Sequence, residues 1–539
     1  MKSKDIFEAI GGADHKYIAE SIPENKKKKG LIPKILVPAA AALAIAVAVT
    51  AGAAMTRGLF NTEDPSHPVA VTSGTKANAG GEDNVPGTGA ATDKTQDTSG
   101  PVVEPGTTNA TTTGGGDTPG PITDPSRGVK ALASPIYPKM VKLTGEDNYD
   151  EWDRCRDERY AYIDLEESID DYVKKTVGAF LADTEEDENR VYSPLNVYLG
   201  LAMLAEVTEG ETRAQILDLL DVSDIEALRE QACNLWNANF FDDGTVTSLL
   251  SNSLWLKNGY EYNRETLDTL AEKYFASSFS GEPGSDEYDE MLQQWLNEHT
   301  GGLLEDMVDG INMDPRTVLM IASTIYYNAS WEIEFNEDNN TEEIFHEASG
   351  DKTVTFMHDS MEEERYYWGD KFTATRKKLD NSGYMYFMLP DEGVTVSELL
   401  KDDNALDFIS GSSAWKNKRW ITVNLSVPKF DVSSELELSD ILSALGVTDC
   451  FDPTVSDFTP LTDSGDPIYV GSVKHGARVR IDEEGTEATA YIAIEYNAGA
   501  DDPGEDLKEI DFTLDRPFVF FMTGADDNLL FMGVVNSIQ

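Results

Sequence analysis

The chain has 539 residues, 43 Lys plus Arg against 98 Asp plus Glu, and a formal net charge of −55. That balance excludes nucleic-acid binding, which needs a basic face, and it steers basic partners toward the chain. Cys155, Cys233, Cys450 and the six His show no CxxC or HExxH spacing, so unpaired thiols are the default and neither a metal nor another cofactor is expected.

In chain order, residues 1–34 read as a polar cytoplasmic tail with room for one short amphipathic helix. Residues 35–55 are mainly apolar and, at about 20 residues, long enough to cross a bilayer as a helix. Lys26 to Lys29 and Lys34 precede this segment and only Arg57 follows closely. The positive-inside rule therefore puts the N-terminus in the cytoplasm and residues beyond 56 outside, with the chain held at the membrane as a single-pass signal-anchor. The competing reading is a signal peptide cleaved near Ala51 to Ala54 and a secreted product, although the polar lead is long for that.

Residues 56–133 are rich in Gly, Thr, Pro, Asp and Ala and poor in large apolar side chains. They cannot bury enough surface to offset ordering entropy and are expected to be a disordered linker, with an r.m.s. reach of about 45–50 Å. Residues 134–164, carrying Trp152, Tyr160 and Tyr162, are expected to be an irregular extension packed on the edge of the main domain. That domain is a single long one, residues 165–539. Asp164 to Leu181, Leu195 to Val207 and Asp286 to His299 have helical spacing. Val318 to Tyr327, Tyr384 to Leu389, Ile421 to Val427 and Phe518 to Met522 read as strands. Helices first and strands later imply an α+β class.

The most telling stretch is Glu483, Glu484, Gly485, Thr486, Glu487, Ala488, Thr489 and Ala490, followed by Tyr491 to Glu495. At period 2 one face carries Thr486, Ala488, Ala490, Ile492, Ile494 and Tyr496, and the other is mostly polar. The exposed loop Ala498 to Asp506 comes next. A strand that opens into a cleavable loop suits a protease inhibitor that traps its target.

That stretch resembles the hinge and reactive loop of the serpin family. Other pieces match in the family's order: Tyr192 to Asn196, Gly210 to Ile216, Ile325 to Trp331, Val427 to Phe430, Leu442 to Asp449, His475, Arg516 to Phe520 and Phe531 to Asn536. The resemblance implies a serpin fold of three β-sheets and about nine helices with an exposed reactive loop. It implies suicide inhibition: a serine protease attacks the loop, an acyl-enzyme forms, and the cut loop inserts into the central sheet and drags the protease away. No Pro or charge lies on the hinge's inward face, as insertion requires. The resemblance also aligns Ser193, Asn196, Ser323 and His475 with a polar cluster beneath the central strands. The Asn and Ser at positions 196 and 323 are exchanged relative to the family's pattern, keeping one amide and one hydroxyl available to His475. Trp331 matches the tryptophan at the top of the sheet.

Counting from Gly485 at the family's separation puts the scissile bond at Gly499–Ala500, with Tyr496, Asn497 and Ala498 as alternatives, because Asp501 to Asp511 lengthens the loop. Small residues there suit an elastase-like target, and a shift to Tyr496 suits a chymotrypsin- or subtilisin-like one. The expectation is a monomeric, membrane-tethered, extracellular bacterial inhibitor of serine proteases, with a non-inhibitory surface binding module as the alternative. No nucleophile elbow or paired catalytic set points to an enzyme.

Overall fold

The computed structural model describes residues 40–51, 130–143, 148–163, 165, 168–302, 304–308, 311–380, 383–483 and 508–538. Strands β1 (Ala40–Ala51) and β2 (Lys130–Ala133) are followed by helices α1 (Tyr149–Ile163) and α2 (Asp170–Leu181), strand β3 (Arg190–Tyr192), and helices α3 (Pro194–Glu206), α4 (Gly210–Leu220) and α5 (Ile225–Asn239). Then come β4 (Phe241–Asp242), β5 (Val246–Lys257), α6 (Arg264–Lys273), β6 (Ala276–Gly281), α7 (Asp286–His299), α8 (Glu305–Val308) and β7 (Thr317–Ala329). The chain continues with β8 (Thr341–Glu347), β9 (Gly350–Trp368), β10 (Phe372–Lys378), β11 (Tyr384–Pro390), α9 (Val396–Leu399) and α10 (Asp403–Ser410). Next are β12 (Lys418–Pro428), β13 (Phe430–Glu437), α11 (Ser439–Ala444) and β14 (Ile468–Ile481). Strands β15 (Glu509–Thr513), β16 (Phe518–Thr523) and β17 (Leu529–Val535) close it.

The strands form two hydrogen-bonded networks. The eight-stranded sheet runs β13-β14-β1-β7-β5-β6-β2 with β4 on β5, and the nine-stranded one runs β15-β12-β9-β10-β11-β16-β17-β3 with β8 on β9. The expected three sheets become two because β9, 19 residues long, pairs in turn with β8, β12 and β10. The β9–β12 register shifts at Glu362–Glu363, where Glu363 has a φ of 53°, a bulge that bends the strand. Eleven α-helices rather than about nine occur among the described residues, two of them, α8 and α9, only four residues long.

Local chemistry explains the central pieces. Helix α3 starts where Ser193 accepts from the Asn196 backbone N–H and Pro194 takes the first turn, a cap that contributes about 1 kcal/mol. All of α3 is buried, and it packs against β7 and β17. Strands β5 and β7 are buried nearly without interruption, as expected when both faces of a sheet are covered. Two distant sequence motifs meet at the surface, where Gln215 Oε1 accepts from the backbone N–H groups of Thr448 and Asp449 at 2.8 and 2.9 Å. Gly533 marks a close approach: a Cβ there would lie 2.6 Å from the Phe520 ring and 2.8 Å from the Arg190 carbonyl oxygen.

One expectation meets a different structure here, and two are corrected. Residues 40–51, read as part of a transmembrane helix over 35–55, form a strand antiparallel to both β7 and β14. From Leu43 to Val49, Ala alternates with Leu43, Ile45, Val47 and Val49, a period-2 pattern that favours extended backbone and that length and hydropathy do not register. Among the described residues no helix is long and apolar enough to cross a membrane. The linker expectation fails at its end, since Lys130–Ala133 pairs with β6 and Arg264 Nη1 donates to the Leu132 carbonyl at 2.6 Å. The extension is not irregular: it contains the 15-residue α1, which buries Trp152 and Arg159 one above the other, seven positions apart. The tail at 1–34 and most of the linker lie outside the described residues.

Because Pro removes a ladder donor and is confined to sheet edges, Ile45→Pro should expel β1. Hydrogen-exchange mass spectrometry should then show faster exchange along residues 40–51, and an unchanged pattern would contradict the pairing.

Candidate functional site

The sheet's special feature is the strand position between β7 and β14. Both flanking strands run antiparallel to β1 and therefore parallel to each other, and Ile45 stands opposite Ser323 on one side and His475 on the other. The N-cap of α3 comes up to this register. The Ser193 backbone N–H donates to His475 Nε2 at 3.1 Å. The Asn196 backbone N–H donates to Ser193 Oγ at 3.1 Å, and Asn196 Nδ2 donates to Ser323 Oγ at 3.0 Å. All four residues are buried.

The four residues expected to cluster do cluster, with one difference. The amide of Asn196 and the hydroxyl of Ser323 bond to each other, and His475 receives a backbone N–H instead. Adjacent strands are about 4.8 Å apart, so with β1 between them Ser323 and His475 stand roughly twice that distance apart. Burial pushes the His475 pKa down to about 3, so its ring is neutral, and with Nε2 accepting, the ring proton belongs on Nδ1. Neither His475 Nδ1 nor Asn196 Oδ1 has a hydrogen-bond partner. One is a donor and the other an acceptor.

At the top of the slot, where β14 ends, the chain is clamped. Trp331 Nε1 donates to the Asp482 carbonyl at 2.9 Å, and the Phe335 N–H donates to the Glu483 carbonyl at 3.0 Å. The indole is 3% exposed and meets the Phe335 ring edge-on at 5.7 Å. Glu483 is buried and pairs with the Lys429 ammonium and the Asn340 amide. Burial works against its charge, yet the Lys429 and Asn340 hydrogen bonds together hold its pKa below the ordinary carboxylate value.

Of the hinge residues only Glu483 is described. Glu484, Gly485, Thr486, Glu487, Ala488, Thr489 and Ala490 lie outside the described residues, as do Gly499 and Ala500 and the alternatives Tyr496, Asn497 and Ala498. The chain reappears at Lys508 and enters β15, which pairs in parallel with β12 of the other sheet. Sequence reasoning missed Lys429 and Asn340 as anchors of Glu483. Lys429 was visible inside the Val427 to Phe430 motif, but nothing in its spacing points to a carboxylate beside β14.

A protein-family model described as "Serpin (serine protease inhibitor)" matches residues 176–538. The chain is a serpin. Among similar proteins, an uncharacterized serpin-like protein of Thermococcus kodakarensis is 27% identical over 69% of this chain and 87% of its own length. The leukocyte elastase inhibitor of Homo sapiens is 26% identical over 66% of this chain and 96% of its own. Among solved structures, the native state of the thermophilic serpin tengpin superposes with a TM-score of 0.58 at 26% identity, covering 69% of this chain and 94% of that one. Membership places the chain in a family of serine protease inhibitors.

Two predictions come from this geometry. His475 is neutral in the fold and its pKa is depressed, so between about pH 6.5 and 3 the unfolded chain binds the extra proton. Stability is lost as pH falls through that window. His475→Gln should flatten the thermal-unfolding pH profile there by up to about 1.4 kcal/mol per pH unit, and an unchanged slope would contradict the assignment. Lys429→Met leaves the Glu483 carboxylate buried without its cation, which should cost about 1–3 kcal/mol in denaturant unfolding. It should also speed exchange at residues 482–483.

Proposed function

We propose that this serpin inhibits serine proteases as a suicide substrate. The protease cuts the loop at Gly499–Ala500, or at Tyr496, Asn497 or Ala498 in a shifted register. The acyl-enzyme is trapped when the loop enters the sheet between β7 and β14. The observation that carries the reading is the slot itself: β7 and β14 take up a strand antiparallel to both. A loop that leaves β14 at Glu483 and turns back runs antiparallel to β14 in the same way. Its Thr486, Ala488 and Ala490 are small enough to enter a closed sheet. Gly499 suits a shallow, elastase-type pocket, in keeping with the name of the human relative.

In this structure β1 holds that position, so β1 and the loop compete for one set of backbone partners. Insertion requires β1 to leave. A bilayer offers it a destination, because residues 35–55 are long enough to span one and are flanked by Lys on the side that stays inside. We therefore read the inhibitory form as the membrane-anchored one, displayed outside a bacterial cell as a monomer. The same occupancy favours a second reading for the chain off the membrane, in which the loop is cut as a plain substrate.

The test is to mix the full chain, in lipid nanodiscs and in lipid-free buffer, with elastase, chymotrypsin, trypsin and subtilisin, then to run denaturing gels and mass spectrometry. A covalent band with elastase in nanodiscs and a fragment beginning at Ala500 are expected. Ala488→Arg, which forces a charge into the sheet, should abolish the band while cleavage continues. Cleavage without a covalent band for every protease in both settings would reject inhibition and leave the substrate reading.

A further inference from the structure

Helix α1 does more than cover an edge. Between it, the segment 138–141 and the junction of α5 with β4 lies a cavity of about 500 Å³, within the range of small-molecule sites. Its walls are mainly apolar and aromatic, with Met140, Trp152, Phe240 and Phe241 among them. Arg159 also lines it and is only 7% exposed.

Among the described residues, the charges around this cavity are paired except at Arg159 and Asp243. Lys139 pairs with Glu151, Lys142 with Asp242 at 2.8 Å, and Arg156 with Asp153. Arg159 has no ion pair among the described residues; the Tyr160 hydroxyl bonds to its guanidinium, but its Nη1 has no hydrogen-bond partner. The carboxylates whose field reaches it, Asp243 and Asp526, are engaged elsewhere. Asp243 accepts from Thr245 and Val246, and Asp526 from Asn239 and Asn528. The guanidinium lies 3.7 Å over the Phe241 ring, which offsets part of its desolvation but supplies no acceptor. A buried cation without a carboxylate beside it is costly, and guanidinium geometry matches a carboxylate at two points.

We infer that this cavity is a binding site for a small aromatic carboxylate, whose ring lies among Trp152, Phe240 and Phe241 and whose carboxylate pairs with Arg159. The site is separate from the slot between β7 and β14, and its existence does not depend on inhibition.

Isothermal titration of the full chain with naphthalene-2-carboxylate, against the isosteric neutral naphthalene-2-carboxamide, tests it. The carboxylate should bind at least tenfold more tightly, and Arg159→Gln should erase that difference. Cys155 also lines the cavity, whereas Cys233 does not. In the unaltered protein, bound carboxylate should therefore slow N-ethylmaleimide labelling of Cys155 and leave Cys233 unchanged, a readout that stands if the variant fails to fold. Equal affinities for acid and amide, no heat at millimolar ligand, or labelling of Cys155 unaffected by ligand would each overturn the inference.

Discussion

The facing edges of β7 and β14 carry backbone N–H and C=O groups that must all find partners. Each satisfied bond contributes about 1 kcal/mol net, and each one left buried and unmade costs about 1–3 kcal/mol. The position between the two strands therefore cannot stand empty. Either the strands pair with each other, or a third strand fills the space. Much else in the molecule is arranged around that choice: the fully buried α3 beneath it, the capping Ser193 at its middle, and the clamp at its top.

The polar cluster shows the filled state from the inside. Asn196 and Ser323 satisfy each other, and the Ser193 N–H satisfies one nitrogen of His475. His475 Nδ1 and Asn196 Oδ1 are left over. A filled sheet thus carries a polar deficit, and a closed one brings Ser323 and His475 to neighbouring strands.

Much of this was legible in the sequence. The helical spacing of Asp286 to His299 fell on α7 residue for residue, and the strand runs around Val318, Tyr384, Ile421 and Phe518 fell on β7, β11, β12 and β16. The four polar residues at the slot were legible because short motifs carried them. What hydropathy could not separate was the fate of Ala40–Ala51, since a twelve-residue apolar run suits a helix or a strand. The partners that decide the matter, β7 and β14, lie hundreds of positions away. The Glu483–Lys429 pair was hidden for a related reason: a long-range ion pair has no period. Helix α1 was missed because most of its surface is charged and only Trp152 and Arg159 are buried.

The two ends of the reactive segment belong to different sheets. Upstream, β14 is built into one; downstream, β15 joins β12, β16 lies between β11 and β17, and β17 carries β3. Every residue of β16 and β17 is buried. A break anywhere in 484–507 therefore divides the polypeptide without dividing the body. The two pieces share one interior and stay together in native buffer. Nicked and intact molecules should pass together through gel filtration, and only denaturation separates them.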